Sequence, residues 1–228
     1  ILVAGSTLVA TSEHAILFME FTLGANSTLL LLDNRIEGNR YAVYFPVAVV
    51  VDGGGIIVNG NVLSTTDNRC RMGSAVCLHA VDVRNGGYFD IENNTMRAAI
   101  GIELFLHATV SSAGLLRVAD CTFVGRKESF DSTLVFLDGS VTLEGGAQWR
   151  VEGNKVSAAS VIGVTKSWHK MRLSGSSTTV VLSNNRQVDD SYSFADLALP
   201  SMVKKPPRGS WLGATCRAMR RCRTPVCF

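Results

Sequence analysis

The feature that most constrains this chain is a short motif that recurs six times. In each copy an apolar, strand-like stretch leads to an Asp, Gly or Asn, then to an anchor residue and a second apolar stretch. The anchors are Asn34, Asn61, Asn94, Cys121, Asn154 and Asn185. They are 27, 33, 27, 33 and 31 residues apart, so most of the chain repeats with a period of 60. Such regularity is typical of solenoid proteins, whose units bury their apolar faces against one another.

Each repeat reads as three strand-like stretches separated by turns. The two stretches that flank the anchor are followed by a longer apolar one, such as 100–106, and by a small-residue turn, such as 145–146. Apolar and polar residues alternate around Trp149 and Val151, as in a strand with one buried face. Three strands in roughly 30 residues predict an all-β, right-handed parallel β-helix of about six coils over residues 1–200. A β-sandwich would also have regular turns, but the 60-residue period favours the solenoid.

In a β-helix the anchors lie above one another. Asn tolerates a left-handed φ, and its side-chain amide can hydrogen-bond to the amide in the next coil. We therefore predict one column of stacked anchor side chains with a structural role. Cys121 fits this column only if its site is apolar or if the ladder of amides is interrupted there.

Composition and charge narrow the class of protein. The chain is 46% hydrophobic and 18% charged, with 21 Gly and 5 Pro, which suits many short strands joined by turns. The net charge is +3, but residues 203–228 hold seven Lys and Arg and no acid, which leaves −4 for the rest. The acidic body predicts no nucleic-acid partner. Residues 201–228 are expected to form a basic, unstructured tail.

The apolar runs and the first residues bear on localisation. No run of 18 or more apolar residues occurs, so we expect no transmembrane helix and no membrane contact by this segment itself. The chain begins at Ile1 within a strand-like pattern and shows no signal peptide. We therefore interpret it as a fragment of a longer protein.

Several phrases of the sequence resemble a known family. They are residues 91–96 (IENNTM), 115–123 (LLRVADCTF), 145–154 (GGAQWRVEGN) and 180–185 (VVLSNN). They are similar to repeats of the dispersed gene family protein 1 family, and the resemblance covers about residues 1–200. The family comprises very large protozoan-parasite surface proteins with β-helix-like ectodomains. The resemblance implies a glycoprotein parent at the cell surface, adhesion to host cells or extracellular matrix, and no enzymatic activity.

The C-terminal tail departs from this family. The family would continue into an acidic, Cys-bearing segment, whereas residues 211–223 are rich in Arg. We hypothesise a shifted reading frame after about Ser201, which would make the product a truncated chain from a degenerate gene copy without function. The gene sequence would decide this.

An alternative function is that of a β-helical, pectate-lyase-like carbohydrate-active enzyme, which would need paired carboxylates. The nearest pair, Asp189 and Asp190, is adjacent in sequence, and adjacent strand residues point to opposite faces. We therefore expect no catalytic residue. Residues 53–55 (GGG) follow a strand but lack the Lys-Ser/Thr of a phosphate loop. We interpret them as a turn and expect no cofactor.

The remaining candidates are side chains typical of metal binding, disulfides and glycosylation. Four histidines are too sparse to predict a metal site: His14, His79, His107 and His169. Cys70 and Cys77 could form a disulfide in an extracellular protein, whereas the cysteines at 216, 222 and 227 match no zinc pattern. The sequons at Asn26 and Asn93 predict N-glycosylation, and Asn26 is the better candidate because Asn93 adjoins the anchor column.

Overall fold

The computed structural model describes residues 1–66, 73–125, 132–157, 160–164, 171–175 and 177–188. These residues form strands and turns without any helix. All the strand pairs are parallel, and successive coils stack as a β-solenoid. The predicted all-β parallel β-helix is therefore confirmed. The tail predicted at 201–228 lies outside the described residues.

The strands belong to three sheets that run the length of the solenoid. Sheet 1 consists, within the described residues, of β1 (Leu2–Ala4), β5 (Thr28–Leu32), β8 (Gly55–Asn59), β11 (Tyr88–Glu92), β14 (Leu115–Ala119), β18 (Gln148–Glu152) and β22 (Thr179–Ser183). Sheet 2 consists of β2 (Thr7–Val9), β6 (Arg35–Gly38), β9 (Val62–Thr65), β12 (Thr95–Arg97), β15 (Thr122–Val124), β19 (Lys155–Ser157) and β23 (Arg186–Gln187).

Sheet 3 has the longest strands. It consists, in the described part of the chain, of β3 (His14–Leu17), β4 (Phe21–Leu23), β7 (Tyr41–Asp52), β10 (Ser74–Arg84), β13 (Ile100–Val110), β16 (Thr133–Leu137), β17 (Ser140–Glu144), β20 (Ser160–Val164) and β21 (Met171–Ser174). The central strands β7, β10 and β13 each span 11 or 12 residues. In the coils on either side, two shorter strands take the place of one long strand.

The register between coils reproduces the spacing of the sequence repeat. One column of paired residues in sheet 1 runs through Thr28, Gly55, Tyr88, Leu115, Gln148 and Thr179. Its steps are 27, 33, 27, 33 and 31 residues, the same as those between the anchors. In sheet 1 each of these strand residues therefore lies beside its counterpart in the next coil, so the same alternation of apolar and polar residues recurs in each repeat.

The core consists of inward-facing columns of apolar side chains. One column in sheet 1 contains Leu31, Val58, Ile91, Val118 and Val151, each at most 1% exposed. A second column contains Phe89 and Trp149, the latter 1% exposed. Burying one such side chain stabilises the fold by roughly 1.5–3 kcal/mol. Because each coil covers the face of the next, the core is continuous along the solenoid.

The turn from sheet 1 to sheet 2 has a left-handed residue just before each anchor. These six residues are Asp33, Gly60, Asn93, Asp120, Gly153 and Asn184, with φ between 51° and 70°, and Gly5 (58°) takes the same place in the first coil. The left-handed conformation was expected at the anchor itself, and the structure corrects this by one position. Gly, Asn and Asp tolerate positive φ at the lowest cost, which explains why only these types precede the anchors.

Candidate functional site

The structure places the six predicted anchors in one column between sheets 1 and 2. The first five are at most 2% exposed, and Asn185, in the last described coil, is half-buried. In the first coil Ser6 lies at the equivalent position, where its backbone N donates to Oδ1 of Asn34 at 2.9 Å. The column is thus a buried polar ladder within an apolar core.

Asn61 shows the repeating geometry of this ladder. Its Oδ1 accepts hydrogen bonds from the backbone N (2.9 Å) and Nδ2 (3.0 Å) of Asn34. Its Nδ2 donates to Oδ1 of Asn94 (3.0 Å) and to the backbone carbonyls of Leu31 (2.8 Å) and Asn59 (3.0 Å). The side chain therefore satisfies buried backbone groups of two coils, which accounts for a buried amide at this position.

Cys121 interrupts the ladder of amides. Its backbone N donates to Oδ1 of Asn154 at 2.9 Å, as an anchor Asn would. Its Sγ donates to the carbonyls of Ala119 (3.2 Å) and Ile91 (3.6 Å), as Nδ2 does at other anchors. Burial raises the pKa of the thiol to about 12, although hydrogen bonds from Asn94 act in the opposite direction. The thiol is therefore protonated at neutral pH and is a packing residue rather than a nucleophile.

Both predicted glycosylation sites lie at exposed turns. Asn26 and Asn93 are exposed and have φ of 64° and 54°. Asn93 is the left-handed residue before the anchor Asn94, so its side chain lies outside the column. The geometry leaves both amides accessible, and their glycosylation stays a prediction.

The predicted disulfide is not found at Cys77. Cys77 is a free thiol, 1% exposed, on β10 of sheet 3, whereas Cys70 lies outside the described residues. The residues at 169, 189, 190, 216, 222 and 227 also lie outside them. Gly53 has a φ of 71° at the turn before β8, in agreement with the interpretation of 53–55 as a turn.

The described residues contain neither a metal-binding cluster nor a membrane-spanning helix. No three His, Cys, Asp or Glu side chains in this part of the chain are grouped so that they could hold a metal ion. None of its elements is a helix with the length and apolarity needed to cross a membrane.

The outer face of sheet 3 carries a row of rings that the sequence reasoning missed. This aromatic stripe consists of His14, Tyr41, Tyr44, His79 and Phe105. The ring centroids of Tyr41 and Tyr44 are 4.6 Å apart, and those of His79 and Phe105 are 4.7 Å apart, both in stacked geometry. The residues come from four successive coils, so the stripe runs along the solenoid axis.

A pair of bulges positions His79 in the middle of the stripe. On the β7 side two residues, Pro46 and Val47, lie opposite His79, because the register shifts between Leu78 and Ala80. The β13 side shows the same shift, with Phe105 and Leu106 opposite His79. Nδ1 of His79 is 2.6 Å from the carbonyl oxygen of Pro46. Since a carbonyl oxygen only accepts, Nδ1 is the donor of this hydrogen bond, and Nε2 is an acceptor whenever the ring is neutral.

The stripe borders a cavity of about 150 Å³ lined by Arg40, Tyr41, Tyr44, Cys77, His79 and Phe105. Next to Cys77 in the register lies Glu103, which is 5% exposed and accepts a hydrogen bond from Oγ of Ser74 at 2.6 Å. Burial raises the pKa of Glu103. Burial and the nearby Glu103 raise the pKa of Cys77, and burial raises that of Tyr41. These three groups favour their neutral forms, so Cys77 and Tyr41 are not activated as nucleophiles.

Two buried nitrogen atoms at the stripe lack hydrogen-bond partners in the described part of the chain. They are Nδ1 of His14 and Nε of Arg40. The guanidinium carbon of Arg40 lies 5.1 Å from the ring centroid of Tyr41, a cation–π geometry. Nδ1 of His14 is 3.8 Å from Oε2 of Glu13, which is beyond hydrogen-bond distance. Unsatisfied buried groups are rare in native proteins, and here two of them flank one row of rings.

A second polar cluster lies on the outer face of sheet 1, around Arg117. Nη1 of Arg117 is 3.0 Å from Asp90 and 2.7 Å from Glu92, and its Nε is 3.3 Å from Glu152. Nη2 of Arg150 is 3.0 Å from the same Glu152. The cluster joins three successive coils through charge-assisted hydrogen bonds. Burial raises the pKa of Asp90, while Arg117 acts in the opposite direction.

Fold and site together define the class of protein: a parallel β-solenoid with a buried Asn ladder and an aromatic lateral face. A scan against protein-family models finds no match, and neither do searches of curated proteins and of solved structures.

Proposed function

We propose that this chain is a non-catalytic segment of a surface protein that acts in adhesion to host cells or extracellular matrix. The observation that supports it best is the aromatic stripe, which presents four half-buried rings beside the buried Tyr41 on the outer face of sheet 3. Repeated shallow contacts along such a face give avidity when many copies are displayed together. The resemblance to the dispersed gene family protein 1 family agrees with a cell-surface parent protein.

The test is bead adhesion. Beads coated with the full chain are added to mammalian epithelial cells and to wells coated with extracellular matrix, and beads with an unrelated β-rich protein serve as the control. We expect retention under flow to rise steeply with coating density, because avidity depends on the number of simultaneous contacts. Retention equal to that of the control on both surfaces would overturn the proposal.

A carbohydrate-active enzyme is the second candidate, and the Arg117 cluster is the observation in its favour. Asp90 and Glu92 point to the same face of β11, and the pKa of Asp90 is raised by burial, as a general acid requires. Against it, Arg117 binds both carboxylates, which stabilises their charged forms. Release of reducing ends from pectin or host glycans, abolished by Asp90→Asn, would favour the enzyme over the adhesin.

A further inference from the structure

We propose that the aromatic stripe binds an uncharged, linear oligosaccharide that lies along the solenoid axis. The inference rests on the proposed adhesive function and names the chemistry of its ligand.

The direction of the stripe selects an extended ligand. Its rings come from four coils, and neighbouring strands are about 4.8 Å apart, so the stripe is on the order of 14 Å long. Aromatic side chains offer apolar faces with a polarised edge. A chain of pyranose rings has apolar C–H faces that recur at a spacing close to the height of one coil. Such a ligand can therefore contact the half-buried Tyr44, His79 and Phe105 in succession.

The polar atoms beside the rings suit hydroxyl groups. Nε of Arg40 is a buried donor without a partner among the described residues, and Nε2 of His79 is an acceptor when the ring is neutral. Sugar hydroxyls both donate and accept, so one ligand can satisfy both atoms. The cavity of about 150 Å³ holds about five waters at ~30 Å³ each. That space fits one sugar unit, and the rest of the ligand would lie along the half-buried rings.

The local charge argues against a polyanion. Glu13 accompanies Arg40 at the stripe, and residues 1–202 carry a net charge of −4 if the seven tail cations are set apart from the total of +3. Binding to a phosphate backbone or a sulfated glycan draws its affinity from Lys and Arg. Single-stranded nucleic acid also stacks on aromatic platforms, but it would have to overcome this unfavourable field.

The bulges around His79 give a second, independent reason to place a site here. Bulges re-aim side chains and are over-represented near functional sites. Both neighbours of β10 carry one at the level of His79. They also leave Val47 and Leu106 37% and 53% exposed beside the stripe, which extends its apolar border.

The experiment is titration of the full chain with neutral hexasaccharides of β-1,4-linked glucose, N-acetylglucosamine and mannose, followed by calorimetry. We expect at least one to bind, and we expect Tyr44→Ala and Phe105→Ala each to raise Kd about tenfold, a loss of about 1.4 kcal/mol. Tyr44→Phe keeps the ring and should change Kd less than threefold. Val62→Ala is the matched control, because Val62 is 40% exposed on sheet 2, away from the stripe. Circular dichroism and thermal unfolding check that each variant is folded.

A measurement on the unaltered chain avoids dependence on the variants. Saturation of the aromatic protons should transfer to the sugar C–H protons in a saturation-transfer NMR difference spectrum. The proposal fails if no hexasaccharide binds, if binding is indifferent to Tyr44→Ala and Phe105→Ala, or if single-stranded DNA binds more tightly at the stripe. Bead adhesion without saccharide binding would overturn this inference alone, whereas saccharide binding without bead adhesion would overturn only the proposed adhesive function.

Discussion

Completing the interrupted ladder should stabilise the solenoid, and Cys121→Asn is the substitution that does so. The coil-to-coil register at Cys121 is the same as at the anchor Asn residues, so a new amide would occupy the column without any change of backbone. Its Oδ1 would take the place of Sγ opposite the N–H groups of Asn94, whose hydrogen bonds now reach a thiol. Its Nδ2 would donate to Oδ1 of Asn154, as Nδ2 of Asn61 does to the next amide.

The magnitude follows from the bonds that are gained. Sulfur is a weak acceptor, and an intramolecular hydrogen bond between good partners contributes about 0.5–1.5 kcal/mol net. Two bonds from Asn94 would be strengthened and one bond to Asn154 would be added, while the bonds to Ala119 and Ile91 would pass from Sγ to Nδ2. Allowing for the slightly larger side chain, we expect a gain of about 1–2 kcal/mol in the free energy of unfolding.

The assay combines urea unfolding of the full chain with hydrogen exchange of the Asn94 amide. Repeat proteins can unfold in parts, so the local exchange rate is the sharper readout. Cys121→Asn should slow exchange at Asn94 about five- to thirtyfold, corresponding to about 1–2 kcal/mol. The reciprocal change Asn61→Cys should lower the free energy of unfolding by a similar amount, because it interrupts the ladder of amides next to Asn34 in the same way. If Cys121→Asn left the fold intact but speeded exchange at Asn94, the reasoning about the ladder would be wrong.

Three further predictions concern titration, charge and modification. Burial raises the pKa of Glu103, so the folded chain binds its proton more readily than the unfolded chain. The raised pKa of Glu103 makes the free energy of unfolding rise as the pH falls from neutral towards the ordinary Glu range. Glu103→Gln should remove this rise, which is measured as the urea midpoint at a series of pH values. Arg117→Ala leaves three mostly buried carboxylates together and should cost about 2–4 kcal/mol at pH 7, as measured by urea unfolding. Expression in a secreting eukaryotic host should add glycans to Asn26 and Asn93, and mass spectrometry should show their loss on Asn26→Gln and Asn93→Gln.

Each of these predictions has its own control. For Glu103, equal pH dependence in the parent chain and the Gln variant would contradict a raised pKa. For Arg117, the Ala variant should recover part of its stability at low pH, where the carboxylates are protonated. The stability of Arg117→Lys should lie between that of the parent chain and that of Arg117→Ala. For the sequons, an unmodified Asn26 in a secreted, folded chain would show that exposure at a turn is insufficient for modification.

The fold was predictable because a parallel solenoid translates sequence spacing directly into register. The steps between Asn34, Asn61 and Asn94 equal the offsets between paired strands. The number of residues between anchors therefore gives the register of the strands directly. The position of the left-handed residue was not predictable by the same route. Asn is frequent both at the anchor and just before it, as in 93–94 and 184–185, and only the backbone distinguishes the residue with positive φ from the one that stacks.

The aromatic stripe could not be read from the sequence, although its residues were all visible there. Its rings lie on the long strands of sheet 3, where a bulge shifts the register by one residue on both sides of His79. The spacing measured between the anchors therefore no longer predicts which residues lie side by side at Phe105. His79 and Phe105 are 26 residues apart, as are the paired Leu78 and Leu104, whereas the paired residues from Ala80 and His107 onwards are 27 apart. Counting with the offset of 27 would pair His79 with Leu106 instead of Phe105, and a shift of one residue turns a strand side chain to the other face. The bulges that interrupt the repeat spacing in sheet 3 are therefore also the feature that turns these rings to one surface.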